Sequence, residues 1–185
     1  VITDGNTLLI RGSKGNSEGL SITQRKNGKW SNPPTLRNPE YERMKKGRFS
    51  GAFKTSDGMV LELYFSETKD AKRSELYVSF NQGGNAWSTP EKIGKPINTH
   101  LVEVGPFITA DNKSMFFASK RGGGYGSSDI YRTERLDDTW LNWSERVNIG
   151  PPVNTDEFDA YFSMDASGTE IFTTRALMTA DGGSL

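Results

Sequence analysis

A tryptophan–serine pair returns along the chain at a nearly fixed interval. It stands at Trp30-Ser31-Asn32-Pro33, Trp87-Ser88-Thr89-Pro90 and Trp143-Ser144-Glu145-Arg146, with the tryptophans 57 and 56 positions apart. The second and third copies run on in parallel: Ile93-Gly94-Lys95-Pro96-Ile97-Asn98-Thr99 matches Ile149-Gly150-Pro151-Pro152-Val153-Asn154-Thr155 at an offset of 56. Earlier in each unit a turn signal precedes an aromatic or β-branched run. Asp4-Gly5 leads to Thr7-Leu8-Leu9-Ile10, Asp57-Gly58 to Leu61–Ser66, Asp111-Asn112 to Met115–Ser119, and Asp165–Gly168 to Glu170–Thr174, with the aspartates spaced 53, 54 and 54. Between these anchors lie Gly19–Ile22, Ser74–Val78 and Ser128–Tyr131, each after a Gly-, Ser- or Lys-rich loop such as Arg121–Gly126. One unit therefore reads as four short antiparallel strands joined by tight turns.

Four strands in about 55 residues match one blade of a β-propeller. A lone four-stranded sheet leaves both faces wet, and radial stacking of several sheets covers them. The expected fold is all-β: a propeller segment of about three and a half four-stranded blades, at roughly 1–38, 47–98, 99–154 and 155–185. Phe53, Phe65, Phe107, Phe117, Phe162 and Phe172 are expected to fill the inter-blade layers, and the repeated tryptophans to pack between blades. Rings usually need about four to eight blades. The expectation is thus a piece of a larger ring or one completed by a partner, and an intact 20.5 kDa monomer would contradict it. One helix is expected, over Asn38–Gly47, with Pro39 at its first position, acids in the first turn, and bases then Gly47 at its end.

Composition narrows the partners. Lysines and arginines number 23 and so do aspartates and glutamates, for a net charge of zero. The cationic surplus of a nucleic-acid binder is missing, so no nucleic-acid partner is expected. No apolar run reaches the length that crosses a bilayer, so no direct membrane insertion is expected. There are no cysteines, which removes disulfides, thiolate metal sites and a Cys nucleophile and agrees with an exported protein.

Catalytic patterns are weak. His100 is the single histidine and falls in a link between blades, with no Gly-x-Ser-x-Gly elbow beside it. A glycosidase needs a carboxylate pair. Asp137-Asp138 are adjacent, and Asp156, Glu157 and Asp159 cluster, but Glu103 and the latter group recur with the repeat. Recurring residues cap turns, whereas a catalytic site breaks the repeat. Sialidases, which are propellers, carry a Ser-x-Asp-x-Gly-x-Thr-Trp turn. Ser79–Trp87 approaches it but is one residue too long, with Asn81 at the Asp position. Arg11, Arg48, Arg121 and Arg175 fall near strand ends, where an arginine cluster for a carboxylate would have to form. Asp156–Asp159 lacks the oxygen spacing of a calcium loop. The Arg121–Gly126 loop lacks the Gly-Lys-Ser/Thr of a phosphate cradle, and Asp129 is expected to hydrogen-bond turn backbone. No catalytic, cofactor-binding or metal-ligating residue is assigned, and no cofactor.

The third unit carries Ala110–Lys113, Phe116-Phe117-Ala118-Ser119, Gly123–Gly126, Asp129-Ile130-Tyr131, Trp143-Ser144-Glu145 and Asn148–Thr155. In these segments the chain resembles the WD-like β-propeller repeats of the TolB type, as found in exported, OmpA-associated envelope proteins of Bacteroidetes. The second unit matches at fewer positions, and the first lacks both Asp-Ile-Tyr and Asn-Thr. The resemblance implies a non-enzymatic scaffold of the cell envelope, in the periplasm or at the outer membrane. It would bind a protein partner, such as subunits of secretion or gliding machinery, or a glycan. The alternative is a glycan-active, sialidase-like propeller enzyme.

Overall fold

The computed structural model describes residues 6–13, 16–32, 39–44, 50–66, 72–84, 86–165 and 167–176. The described residues form thirteen strands and one short helix: β1 Thr7–Ser13, β2 Asn16–Lys26, β3 Lys29–Trp30, α1 Pro39–Met44, β4 Ser50–Lys54, β5 Val60–Phe65, β6 Glu75–Phe80, β7 Glu91–Lys92, β8 Glu103–Ile108, β9 Ser114–Ser119, β10 Asp129–Glu134, β11 Val147–Asn148, β12 Phe158–Met164 and β13 Ile171–Ala176. They make four antiparallel sheets in chain order. Two are complete four-stranded blades, β4-β5-β6-β7 and β8-β9-β10-β11. A three-stranded sheet, β1-β2-β3, precedes them and a hairpin, β12-β13, follows. The chain is an all-β propeller segment. Residues 1–5 and 177–185, which hold the Asp4-Gly5 and Asp181-Gly182-Gly183 signals, lie outside the described residues, as do Asn38 and Lys45–Gly47 of the expected helix.

The tryptophan–serine pair recurs because the serine closes the outer hairpin. In three sheets the same bonds appear. Ser31, Ser88 and Ser144 each donate a backbone N–H to the carbonyl of Gln24, Phe80 and Glu134. Their hydroxyls accept the N–H of those same residues, at 3.1, 2.9 and 3.0 Å. A hydroxyl one residue earlier, on Thr23, Ser79 or Thr133, donates to the serine carbonyl at 2.6–2.8 Å. A two-residue outer strand has too few ladder bonds to hold itself, and these side chains supply the rest.

Adjacent sheets pack face to face. One core joins Phe53, Val60, Leu76, Val78 and Ile97 of the first complete blade to Val104, Phe107, Met115, Phe117 and Ile130 of the second and to Phe162 of the hairpin. Phe53 meets Phe107 edge-on at 5.1 Å, and Phe116 stacks on Phe162 at 4.2 Å. A second core lies on the other face of β5, where Leu61, Leu63 and Phe65 pack with Leu20, Tyr77, Trp87 and Tyr41 of α1. Trp87 and Trp143 are buried as expected, but Trp30 is 42% exposed on β3, and Phe172 is 60% exposed on β13. Both rings lie on sheets with fewer than four strands, which give them less to pack against.

The last turn departs from its expected register. In the first two complete turns, Thr55 and Thr109 donate to Asp57 and Asp111 at 2.7 and 2.6 Å. In the hairpin Asp165 occupies the threonine position: its N–H donates to Glu170 O as Thr109 N–H donates to Ser114 O. Ser167 takes the aspartate position and donates its hydroxyl to Asp165. Hydroxyl and carboxylate have exchanged places, and the bond between them is kept. Asp165 is therefore 56 residues from Thr109, not the equivalent of Asp111.

Candidate functional site

The links that precede and follow the β8–β11 blade are each held by an asparagine–threonine–carboxylate latch. The Asn98 amide mimics a strand: it accepts Leu76 N–H at 2.8 Å and donates to Leu76 O at 2.8 Å and Ile93 O at 2.6 Å. Asn154 does the same for Ile130 at 2.8 and 2.9 Å, its second donor going to Asn148. The next residue, Thr99 or Thr155, donates both its N–H and its hydroxyl to a buried carboxylate four residues on, Glu103 or Asp159. That carboxylate opens the next inner strand. There a parallel bridge, Ser74 to Val102 or Ser128 to Phe158, ties it to the third strand of the preceding blade.

These bonds account for the acids that recur. Glu103 also accepts from Ser119 at 2.9 Å and lies 3.4 Å from Arg121. Burial pushes its carboxyl up, against the lowering effect of the Thr99 and Ser119 hydrogen bonds. Asp159 lies 3.2 Å from Arg175. Asp129 accepts Tyr125 N–H at 3.0 Å and Gly126 N–H at 3.2 Å. Two glycines of the run that precedes it are required sterically. A Cβ on Gly124 would fall 1.5 Å from Asp129 Oδ2, and one on Gly126 would fall 2.1 Å from Glu157 O. Asp137 caps its own turn, accepting from Thr139 N–H and Asn142, while Asp138 pairs with Arg135. Hydrogen bonds from Asn142 and Thr139 hold Asp137 below the usual carboxylate range.

Arg121, placed near a strand end, is buried. It is 8% exposed, donates to Ser119 and Ile97 O, and lies over the rings of Phe117 and Tyr131. Arg175 is tied to Asp159, so Arg121 and Arg175 serve successive latches and form no common cluster. Arg11 and Arg48 have side chains outside the described residues. His100 is exposed in its link. Among the described residues no group of three or more His, Asp or Glu side chains could hold a metal ion. No described helix is long and apolar enough to cross a membrane.

Three cavities stand out among the described residues, one of them, of about 540 Å³, lined by Asp111, Arg132 and Asp165 at the turn ends. A cleft of about 290 Å³ lies among the inner strands. Its lining is repeat-equivalent: Gly51, Gly105 and Tyr161 form one level, and Ala52, Pro106 and Phe162 the next. A bulge breaks β8 after Val104 and β12 after Ala160. It sets Gly105 and Tyr161 at φ of 60° and 54°, so an exposed tyrosine stands in the left-handed conformation beside the cleft. The described lining contains no carboxylate and no arginine.

The third cavity, about 1010 Å³, opens over the first latch, between the two complete blades. Arg73, Lys92, Lys95, His100, Arg121 and Arg146 line it, with Glu75 and Glu145. Buried Glu75 is bound by both Arg73 and Lys92. The sequence repeat concealed this cluster, because its members come from four separate segments. The signal was nevertheless present. Aligned by strand pairing and by the latch, Arg73, Lys92, Lys95 and His100 stand opposite Ser127, Asn148, Pro151 and Asp156, so the bases are not part of the repeat.

No family model matches the chain, and no curated protein matches it. The chain is similar to several solved structures. One is the Penicillium chrysogenum α-L-arabinanase complexed with arabinobiose, at 11% identity and a TM-score of 0.50, covering 99% of this chain and 70% of that one. Another is TolB from Acinetobacter baumannii, at 15% identity and a TM-score of 0.49, covering 90% of this chain. A third is the α-L-arabinofuranosidase Arb93A from Fusarium graminearum, at 14% identity and a TM-score of 0.44. The chain spans about a third of the length of the TolB structure.

Proposed function

We propose that this chain is a non-enzymatic binding module of the bacterial cell envelope, with a protein as its partner. The observation that carries the reading is the use made of its acids. Glu103, Asp129 and Asp159 are buried and spend their oxygens on turn backbone, hydroxyls and arginines that hold one blade to the next. A carboxylate so engaged is a poor proton donor or nucleophile, since both roles need a substrate within hydrogen-bond reach. The cleft among the inner strands offers apolar and aromatic surface, which suits recognition. The envelope setting rests on the likeness of the repeats to those of exported propellers.

The test is a turnover assay on the purified protein with α-1,5-arabinan, aryl arabinofuranosides and aryl sialosides. No release of sugar or aryl group above the uncatalysed rate is expected. Saturable release abolished by Glu103→Gln or Asp159→Asn would replace the binding reading with a glycosidase.

A further inference from the structure

The cavity between the two complete blades concentrates charge in a chain that has none overall. Five permanent cations, Arg73, Lys92, Lys95, Arg121 and Arg146, line it against two carboxylates, Glu75 and Glu145. The charge is anchored. Arg121 is fixed by Ser119, Ile97 O and Glu103, and Glu75 holds Arg73 and Lys92 at the wall. Arg146 keeps a buried Nε with no hydrogen-bond partner, its pairing with Glu145 running through the other end of the guanidinium at 3.6 Å. Lys95 and His100 stand exposed on the rim.

We propose that this cavity is the docking site for an acidic peptide segment of a protein partner. The inference rests on the binding reading above and names the chemistry of the partner. Its volume stands at the upper end of the range for ligand pockets, about 300–1,000 Å³, and is too large for a single small anion. Among the described residues no Trp, Tyr or Phe lines it, so the described lining lacks the stacking platform that sugar rings and bases use. Apolar Ile93, Pro96 and Leu101 accompany the bases, the mixture that a peptide with carboxylate side chains complements. The next junction has the same latch but carries Asn148, Pro151, Asp156 and Glu157 at the corresponding places, and does not attract such a peptide.

Fluorescence anisotropy with labelled hexaglutamate tests this on the intact protein, with hexalysine, hexaglutamine and an oligogalacturonate as the other arms. Saturable binding of hexaglutamate alone is expected, weakening steeply between low and about 0.3 M salt as screening shortens the reach of the charges. Lys95→Glu, a rim substitution away from the buried bonds, should weaken it about tenfold, and Lys92→Gln by several-fold. Hexaglutamate binding unchanged in Lys95→Glu and Lys92→Gln would overturn the location. Absence of hexaglutamate binding, or preference for oligogalacturonate, would overturn the peptide assignment while leaving the turnover result, and the binding reading with it, intact.

Discussion

The two junctions that flank the β8–β11 blade share a latch and differ in almost everything laid over it. At the first, Asn98, Thr99 and Glu103 lie beneath Lys92, Lys95 and His100. At the second, Asn154, Thr155 and Asp159 lie beneath Asn148, Pro151 and Asp156. Buried polar groups have few acceptable substitutes, because each must find a partner of fixed geometry. The side chains over them meet water and are held to no such rule. Repetition therefore marks what holds the ring together, and departure from it marks what the ring can recognise.

The sharpest break in the comparison comes from the asparagines. Asn98→Ala leaves the N–H of Leu76 and the C=O of Ile93 without their partner in a buried site and takes one of two donors from the C=O of Leu76, which keeps Ile93 N–H. A loss of about 2–4 kcal/mol in chemical denaturation is expected. Asn154→Ala should cost less, because one of its partners is the Asn148 side chain and not a backbone group. Equal losses would mean that the two latches are held by something other than these bonds.

The next largest effect concerns Glu62. Paired across β4 and β5 with Phe53, it occupies the place of Phe116, which pairs with Phe107. It is buried, and neither carboxylate oxygen has a hydrogen-bond partner. Burial pushes its carboxyl well above the ordinary glutamate range. Below that range folded and unfolded chains are both protonated there. As pH rises through it the unfolded chain ionises first, so stability falls with pH until the folded carboxyl also ionises. Glu62→Met should raise stability at neutral pH by about 1–3 kcal/mol, with little effect at pH 4. A gain of the same size at both pH values would refute a buried acid.

A smaller effect sharpens the charge contrast. Rebuilding the second junction with Asn148→Lys and Asp156→His should create weak hexaglutamate binding, a few-fold above background by anisotropy. No gain would show that the first junction owes its affinity to shape and not to charge. The smallest effect belongs to the exchanged turn. Asp165→Thr with Ser167→Asp restores the arrangement of Thr109 and Asp111 and should leave the melting temperature nearly unchanged. Asp165→Ala alone removes hydrogen bonds to three backbone N–H groups and should lower it by several degrees.

Much of the fold was legible because its strongest signals are local. Trp-Ser and Asn-Thr recur since each closes one hairpin or one link by bonds to backbone a few residues or one strand away. The register of Asp165 was not legible, because a turn built from one hydroxyl and one carboxylate reads the same in either order. In the sequence Glu62 stands as a polar residue between Leu61 and Leu63. A blade has no solvent face between its neighbours, so alternation there assigns residues to two cores and not to core and water. The basic cavity escaped because its members join only when Lys92, Lys95, Arg121 and Arg146 are brought together by the stacking of two sheets.

Mapping backbone amide chemical shifts during a hexaglutamate titration tests the central claim most directly. The largest changes are expected at residues 92–101, 121–122 and 145–146, with 148–157 little affected. Changes centred on residues 51–53, 105–107 and 161–163 would move recognition to the cleft among the inner strands and contradict it.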